Sequence, residues 1–301
     1  MREVVSISLG SSKRDHEAKV NLLGEEFRIR RVGTDGDFNK AIQMLKELDG
    51  KVDAIGLGGI DLYLCWGHKK YLIKDAEKLA NAVKKTPVVD GSGLKNSLER
   101  EVVQYLQKDA GFDLKGKTVL MVSAVDRFGM AEALAGAGCK MIFGDLLFGL
   151  HIPVVIRNYS AFNVLAAILL PIVTRMPFEM LYPTGSKQEK APDPKYAKYY
   201  QQADIIAGDF LFIRKYMPDD MKDKWILTNT VTEKDVQDLK KRGVEYLITT
   251  TPELKGRSFG TNVMEAAMIA LLRKRWDEVR PDDYLNLLKK LGFKPRIEKL
   301  N

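Results

Sequence analysis

The apolar positions change period along the chain. Val4-Val5-Ser6-Ile7-Ser8-Leu9 is a run of strand length, and Phe27 to Val32 alternates apolar and polar residues at the period of two of a half-buried strand. The period then lengthens: Phe38, Ile42, Met44, Leu45 and Leu48 share one helical stripe, with Asp35 or Asp37 ahead of it as an N-cap. Val52 to Leu57 is a third strand, closed by Gly58-Gly59. Strands alternating with helices predict a parallel sheet buried on both faces.

From Lys117 the alternation restarts. Strands are expected at 118–123, 140–144, 178–182, 204–207, 225–229 and 245–250, and helices at 129–137, 160–175, 195–202, 210–216, 232–242 and 261–275. Six strands joined by helical crossovers is the count of a doubly wound, Rossmann-like dinucleotide-binding sheet. The expected fold is therefore α/β in two domains. An N-terminal α/β substrate domain occupies 1–110 and the Rossmann-like domain 111–280. In the last segment, 281–301, an amphipathic helix over 282–291 folds back on the N-terminal domain. The polar, proline-punctuated stretch from Pro183 to Pro194 is a surface loop, either a lid or a plain connection.

Composition narrows the class. An apolar fraction of 45% and a charged fraction of 29% fit a soluble globular protein. The most apolar region, Ala161 to Val173, is too short for a bilayer span and contains Pro171, so a buried helix is expected and no membrane partner. The N-terminus carries a strand-like run where a signal peptide would have a charged segment and a long apolar one, and a cytoplasmic setting is expected. Two cysteines and three widely spaced histidines offer no metal-ligand spacing. The net charge of +8 is spread among acids, which favours a small anionic substrate over nucleic acid. A homodimer is left open.

Leu120 to Gly138 has the rhythm of a strand, tight turn and helix that cradle a dinucleotide. The three glycine places of such a turn fall on Ser123, Val125 and Gly129, so only the glycine for helix–strand packing is present. Phe128 and Gly129 open a helix whose amides would face a phosphate, with Arg127 beside them. Asp145 ends the next strand about twenty residues on, where a carboxylate takes the ribose hydroxyls, which favours NAD over NADP. Asp126 places an anion inside the same turn. Gly208, Asn229 and Thr250, at three later strand ends, are expected either around the nicotinamide ribose or as turn and cap residues. Ser258, Thr261 and Asn262 read as helix caps, with Arg257 a candidate for an anion.

Upstream lies Thr86-Pro-Val-Val-Asp-Gly-Ser-Gly-Leu94, followed by a helix, then Leu114 to Leu120 and the nucleotide turn. This order resembles the shikimate and quinate dehydrogenase family over roughly 86–145. The resemblance implies that Asp90 pairs with a catalytic lysine and holds a substrate hydroxyl, and that Ser11 and Ser12, with Lys13 and Arg14 beside them, hold the substrate carboxylate. Val88-Val89 stand where the family has Asn-Thr. The family's lysine segment is also replaced, which leaves Lys69 and Lys70, next to His68, as candidates. It implies hydride transfer between NAD(P) and a hydroxyl of a small cyclic hydroxy-carboxylate, with lysine and aspartate moving the proton. The alternative is a non-catalytic nucleotide-binding or sensor protein that keeps the fold without the lysine.

Overall fold

In the computed structural model the described residues are 1–67, 69–178, 193–251, 253–254, 257–258, 260–274 and 278–301. They form two mainly parallel sheets. The first is built from β1 (Arg2–Ser8), β2 (His16–Leu22), β3 (Glu25–Gly33), β4 (Ala54–Gly58) and β7 (Val88–Val89), in the order β2-β3-β1-β4-β7. The expected strands and α1 (Phe38–Leu48) are present, and the cap is Asp37, which accepts from the Lys40 amide. Strand β2 was not expected. It pairs antiparallel with β3 through a two-residue turn in which both Leu23 and Gly24 have positive φ, the geometry that suits the twist of a hairpin. The hairpin β5 (Tyr63–Trp66) and β6 (Lys69–Leu72) and the helix α2 (Lys74–Ala80) follow β4.

Helix α3 (Ser92–Lys108) leaves the first sheet and packs against α4 (Phe128–Gly136) of the second. The close pass depends on Gly129, where a Cβ would lie 2.6 Å from the Asn96 carbonyl oxygen, so this glycine, expected to serve helix–strand packing, serves the contact of two helices.

The second sheet runs β9 (Lys140–Phe143), β8 (Thr118–Met121), β10 (Ile205–Ala207), β11 (Trp225–Thr228), β12 (Tyr246–Thr249) and β15 (Arg296–Lys299). The first five are parallel and β15 is antiparallel. Strand β8 is buried on both sides: Val119 and Met121 face a core continuous with the first sheet, and Leu120 and Val122 face a second cluster around Tyr200 and Phe210. Counted from β8 the order is 2-1-3-4-5 with an antiparallel sixth strand, not the 3-2-1-4-5-6 of the dinucleotide fold. The strand expected at 178–182 lies, past Phe178, outside the described residues, as does most of the loop from Pro183 to Pro194.

Helices α5 (Tyr159–Val173), α6 (Ala197–Gln202), α7 (Phe210–Tyr216) and α8 (Glu233–Lys241) connect these strands. The helix expected to be buried, α5, buries one stripe, through Phe162, Ala166 and Leu170, while Val164, Ile168 and Ile172 are exposed. Among the described residues no helix is long and apolar enough to cross a membrane.

The expected boundary at 280 is also crossed. After the short hairpin β13 (Glu253–Leu254) and β14 (Arg257–Ser258), α9 (Thr261–Leu272) packs on β1, β4 and β7 of the first sheet, and α10 (Pro281–Lys290) on α3. The chain then returns to the second sheet as β15. Gly91, at φ +100°, lets the start of α3 meet the start of α9, and a Cβ there would lie 2.8 Å from the Asn262 amide.

Candidate functional site

Carboxyl ends of parallel strands leave a crevice that loops can line. Here the ends of β1, β4 and β7 face those of β8, β10 and β11 across a cleft of about 570 Å³. Its first-sheet wall carries a cationic rim. A one-turn helix at Ser12–Arg14 is capped by Ser11, whose hydroxyl accepts from the Lys13 amide at 3.3 Å, and Lys13, Arg14, His16 and Arg31 line the cleft. Arg31 donates to the Ser8 hydroxyl at 2.9 Å and to Asp15 at 2.7 Å. Burial, and then the neighbouring Arg14, pulls its pKa down to about 10, so it stays charged at neutral pH. Ser11 and Ser12 do not line the cleft: Ser11 is buried as a cap, and Ser12 is exposed and donates its amide to Asp35.

The floor is a chain of buried ion pairs. Lys95 of α3 donates to Asp61 at 3.0 Å and to Asp126 at 2.7 Å. Arg127 pairs with Glu99, and with Asp209 at 3.1 Å; Asn229 donates to the same Asp209 oxygen at 2.8 Å. Burial alone would lower the Lys95 pKa, but Asp126 and Asp61 outweigh it and hold the amine protonated. A lysine so held is a fixed cation and no proton acceptor.

Asp90 is brought to the cleft without the expected partner. Its carboxylate accepts the Leu62 amide at 2.7 Å, the Ser92 amide at 3.2 Å and the Ser92 hydroxyl, so it ties the start of α3 to the segment after β4. Lys69 and Lys70 sit exposed on β6, over the rings of Trp66 and Tyr63. Neither lines the cleft, and His68 lies outside the described residues. The lysine on the cleft floor, Lys95, was not singled out in the sequence. Its signal is there: Ser92, Lys95, Glu99, Val102 and Leu106 lie on one buried helical stripe, so two charges occupy core positions of α3.

The residues of the nucleotide turn are committed to the protein itself. One Asp145 oxygen accepts the Val125 amide at 2.8 Å, and burial pushes this carboxyl up to about 6. Arg127 is 3% exposed and held by ion pairs, Phe128 and Gly129 pack in the core or against α3, and the Ser123 hydroxyl is buried with no partner among the described residues. A pyrophosphate therefore finds neither a free Val125 amide nor a free guanidinium, and these residues do not fit a dinucleotide. Of the three later strand ends, only Asn229 lines the cleft. At Gly208, φ +136°, a Cβ would lie 2.6 Å from the Val122 side chain, and Thr250 is buried with no partner for its hydroxyl among the described residues.

Two family models divide the chain at the start of α3. A Domain of unknown function (DUF8753) matches residues 3–90, and a Domain of unknown function (DUF8754) matches residues 93–300. The chain belongs to the DUF8754 family. The join between the DUF8753 and DUF8754 segments falls at Gly91-Ser92, where the chain leaves β7 for α3. No curated protein matches the sequence.

Among solved structures, a galactofuranose binding protein is 13% identical with a TM-score of 0.38, covering 97% of this chain and 99% of that one. The substrate-binding protein of a sugar ABC transport system from Bordetella parapertussis 12822 is 11% identical with a TM-score of 0.39, covering 99% and 89%. A hetero-hexameric glutamate dehydrogenase from Thermus thermophilus is 13% identical with a TM-score of 0.41, covering 97% and 74%.

The expectation of a quinate or shikimate dehydrogenase is corrected. Several of the similar solved structures are sugar-binding proteins by name. The site gives its own reason: Asp90 is spent on the Leu62 and Ser92 amides, the candidate lysines Lys69 and Lys70 are elsewhere, and Lys95 on the cleft floor is locked between two carboxylates.

Proposed function

We propose that this chain binds a small anionic molecule in the cleft between its two sheets. The observation that carries the reading is the rim: Lys13, Arg14 and Arg31 line a cleft of small-molecule size, and Arg31 is anchored by Ser8 and Asp15. Opposite stand Asn229 and the start of α8 with Lys234, so an anion on the rim has polar groups within reach on the far wall. A desolvated guanidinium with fixed partners gives a planar, bidentate contact to a carboxylate or phosphate.

The test is thermal unfolding at low ionic strength with phosphate or citrate as probe, against sodium chloride of matched ionic strength. A probe at about ten times its Kd stabilises by about 1.4 kcal/mol, a rise of about 3–5 °C. The variant K13E/R14E is expected to lose that rise. Equal shifts in matched chloride, or an unchanged response in the variant, would overturn the reading.

A further inference from the structure

Helix α5 has no charged residue in its 15 positions, and a helix that is apolar on all sides is ordinarily covered on all sides. Here only one side is covered. Val164, Ile168 and Ile172 are 63%, 59% and 58% exposed, and their spacing of four residues makes one ridge along the helix. Exposed Arg175, seven residues past Ile168, continues that ridge, and exposed Arg157 precedes the Asn158 cap at the other end. The exposure is concentrated. Of the eight large apolar side chains that stand exposed among the described residues, the three on the ridge are joined by Ile152 and Val154, in the segment that enters α5, and by Leu72 on β6. The β5–β6 hairpin packs on α5, where the Trp66 indole donates to Asn163 at 3.2 Å. Single exposed apolar residues are ordinary, but a contiguous apolar face marks a contact surface.

The charges around this face have one sign. From Leu146 to Phe178 the sequence holds no acidic residue, and neither does the hairpin from Tyr63 to Leu72; their cations are Arg157, Arg175, Lys69 and Lys70, with Lys69 over the Trp66 ring. The acids that reach α5 from neighbouring elements are paired: Glu132 of α4, beside Tyr159, with Arg100, and Asp75 of α2, which accepts the Phe178 amide, with Lys78 at 2.8 Å. A second copy of the chain is a poor cover. Whether two such ridges meet parallel or antiparallel about a two-fold axis, arginine faces arginine at both ends. We propose that α5 lies on the surface of an anionic phospholipid bilayer, its ridge among the acyl chains and the four cations against the headgroups. At about 1.5 Å per residue the helix is about 22 Å long, shorter than a hydrocarbon core of about 30 Å, and its other side is held by the protein, so it lies in the interface and does not span. Trp66 and Tyr159, half-buried beside it, are the amphipathic rings that suit that depth.

Sedimentation of the full chain with phosphatidylcholine vesicles containing about 30% phosphatidylserine reads the contact directly. The wild type is expected to sediment with these at low salt and not with pure phosphatidylcholine, and to lose at least about tenfold in affinity in about 0.5 M sodium chloride. The variant V164S/I168S/I172S, changed at three exposed positions, is expected to keep the wild-type melting temperature and to bind at least about tenfold more weakly. R157Q/R175Q is expected to bind about tenfold more weakly and decides the matter if the serine variant fails to fold. A wild type that does not sediment with the anionic vesicles, that binds both vesicle types equally, or that is matched by the serine variant overturns the proposal. So does a wild-type dimer in light scattering that the serine variant turns into a monomer, since a second copy then covers the ridge. None of the substituted residues lines the cleft, so the outcome is independent of anion binding there.

Discussion

Arg127→Met is expected to be among the most damaging single substitutions in the protein. Arg127 is 3% exposed and Glu99 is 1% exposed, and the two are paired beneath the cleft; a second contact joins Arg127 to Asp209 at 3.1 Å. Methionine replaces most of the volume and the apolar stem, so the cavity contribution is small. What remains is a glutamate buried among Lys95, Asp126 and apolar side chains, with one carboxylate oxygen that has no partner among the described residues. Removing one member of a buried pair costs about 3–5 kcal/mol, a large part of the ~5–15 kcal/mol that holds a typical domain folded. At about 2–4 °C per kcal/mol, the melting temperature should fall by about 10 °C.

Urea unfolding followed by tryptophan fluorescence, for wild type, Arg127→Met, Glu99→Gln and the double variant, separates charge from packing. If the cost lies in the orphaned charge, the double variant recovers about 2 kcal/mol relative to the sum of the singles. Acid should help the single variant as well, because burial already raises the Glu99 pKa and a glutamate without its arginine takes a proton more readily. An Arg127→Met protein within about 0.5 kcal/mol of wild type, or strict additivity in the double variant, would refute the reasoning.

Three further outcomes follow from the same contacts. Gly91→Ala places a Cβ 2.8 Å from the Asn262 amide at φ +100° and should cost about 1–3 kcal/mol in a denaturant titration; a loss below about 0.5 kcal/mol would show that α3 and α9 can part at no cost. Glu265, buried against Tyr284 and the Gly91 amide, has its pKa raised by burial, and then by Asp90, from 4.5 to about 7, so the folded state keeps a proton that the unfolded chain has released; stability should fall by about 3 kcal/mol as the pH rises from 4.5 to 7, and Glu265→Gln should flatten that slope. Lys69→Ala and Lys70→Ala, at exposed positions away from the cleft, should each change stability by under about 0.5 kcal/mol and leave the phosphate-induced shift intact.

The strands and helices that cross the interior were legible because burial on both faces writes itself as apolar runs. Strands β8 to β12 and helices α4 to α9 begin and end within a few residues of the positions that periodicity gives. The misses are the short helix α2 and edge strands. His16 to Leu22 places Ala18, Val20 and Leu22 at the period of two, but its hairpin turn uses Leu23 in a left-handed conformation where Asn or Gly would have announced it. Arg296 to Lys299 has a single apolar side chain, Ile297, and joins the sheet through backbone pairing with β12. The return of α9 to the first sheet was hidden for another reason: its apolar positions state that it is covered and not by which sheet.

Asp126 was the informative residue in the strand–turn–helix from Leu120 to Gly138. An acid there is out of place if the turn exists to hold a phosphate, and the backbone amide that a phosphate would use is taken by Asp145. The same acid makes sense once Lys95 and Glu99 are read as charges on the inward stripe of α3, because a buried lysine needs carboxylates and a buried glutamate needs a cation. Asp61 and Asp126 meet the first need, and Arg127 the second. The charged residues that break the local patterns of α3 and of the β8 turn are therefore two halves of one arrangement. Their spacing of about thirty residues carries no periodic signal, since the contact exists only after α3 has crossed from one sheet to the other. Substituting either half alone leaves a buried charge, and for that reason the cleft floor, and not the exposed Lys69 and Lys70, is where mutations are expected to couple.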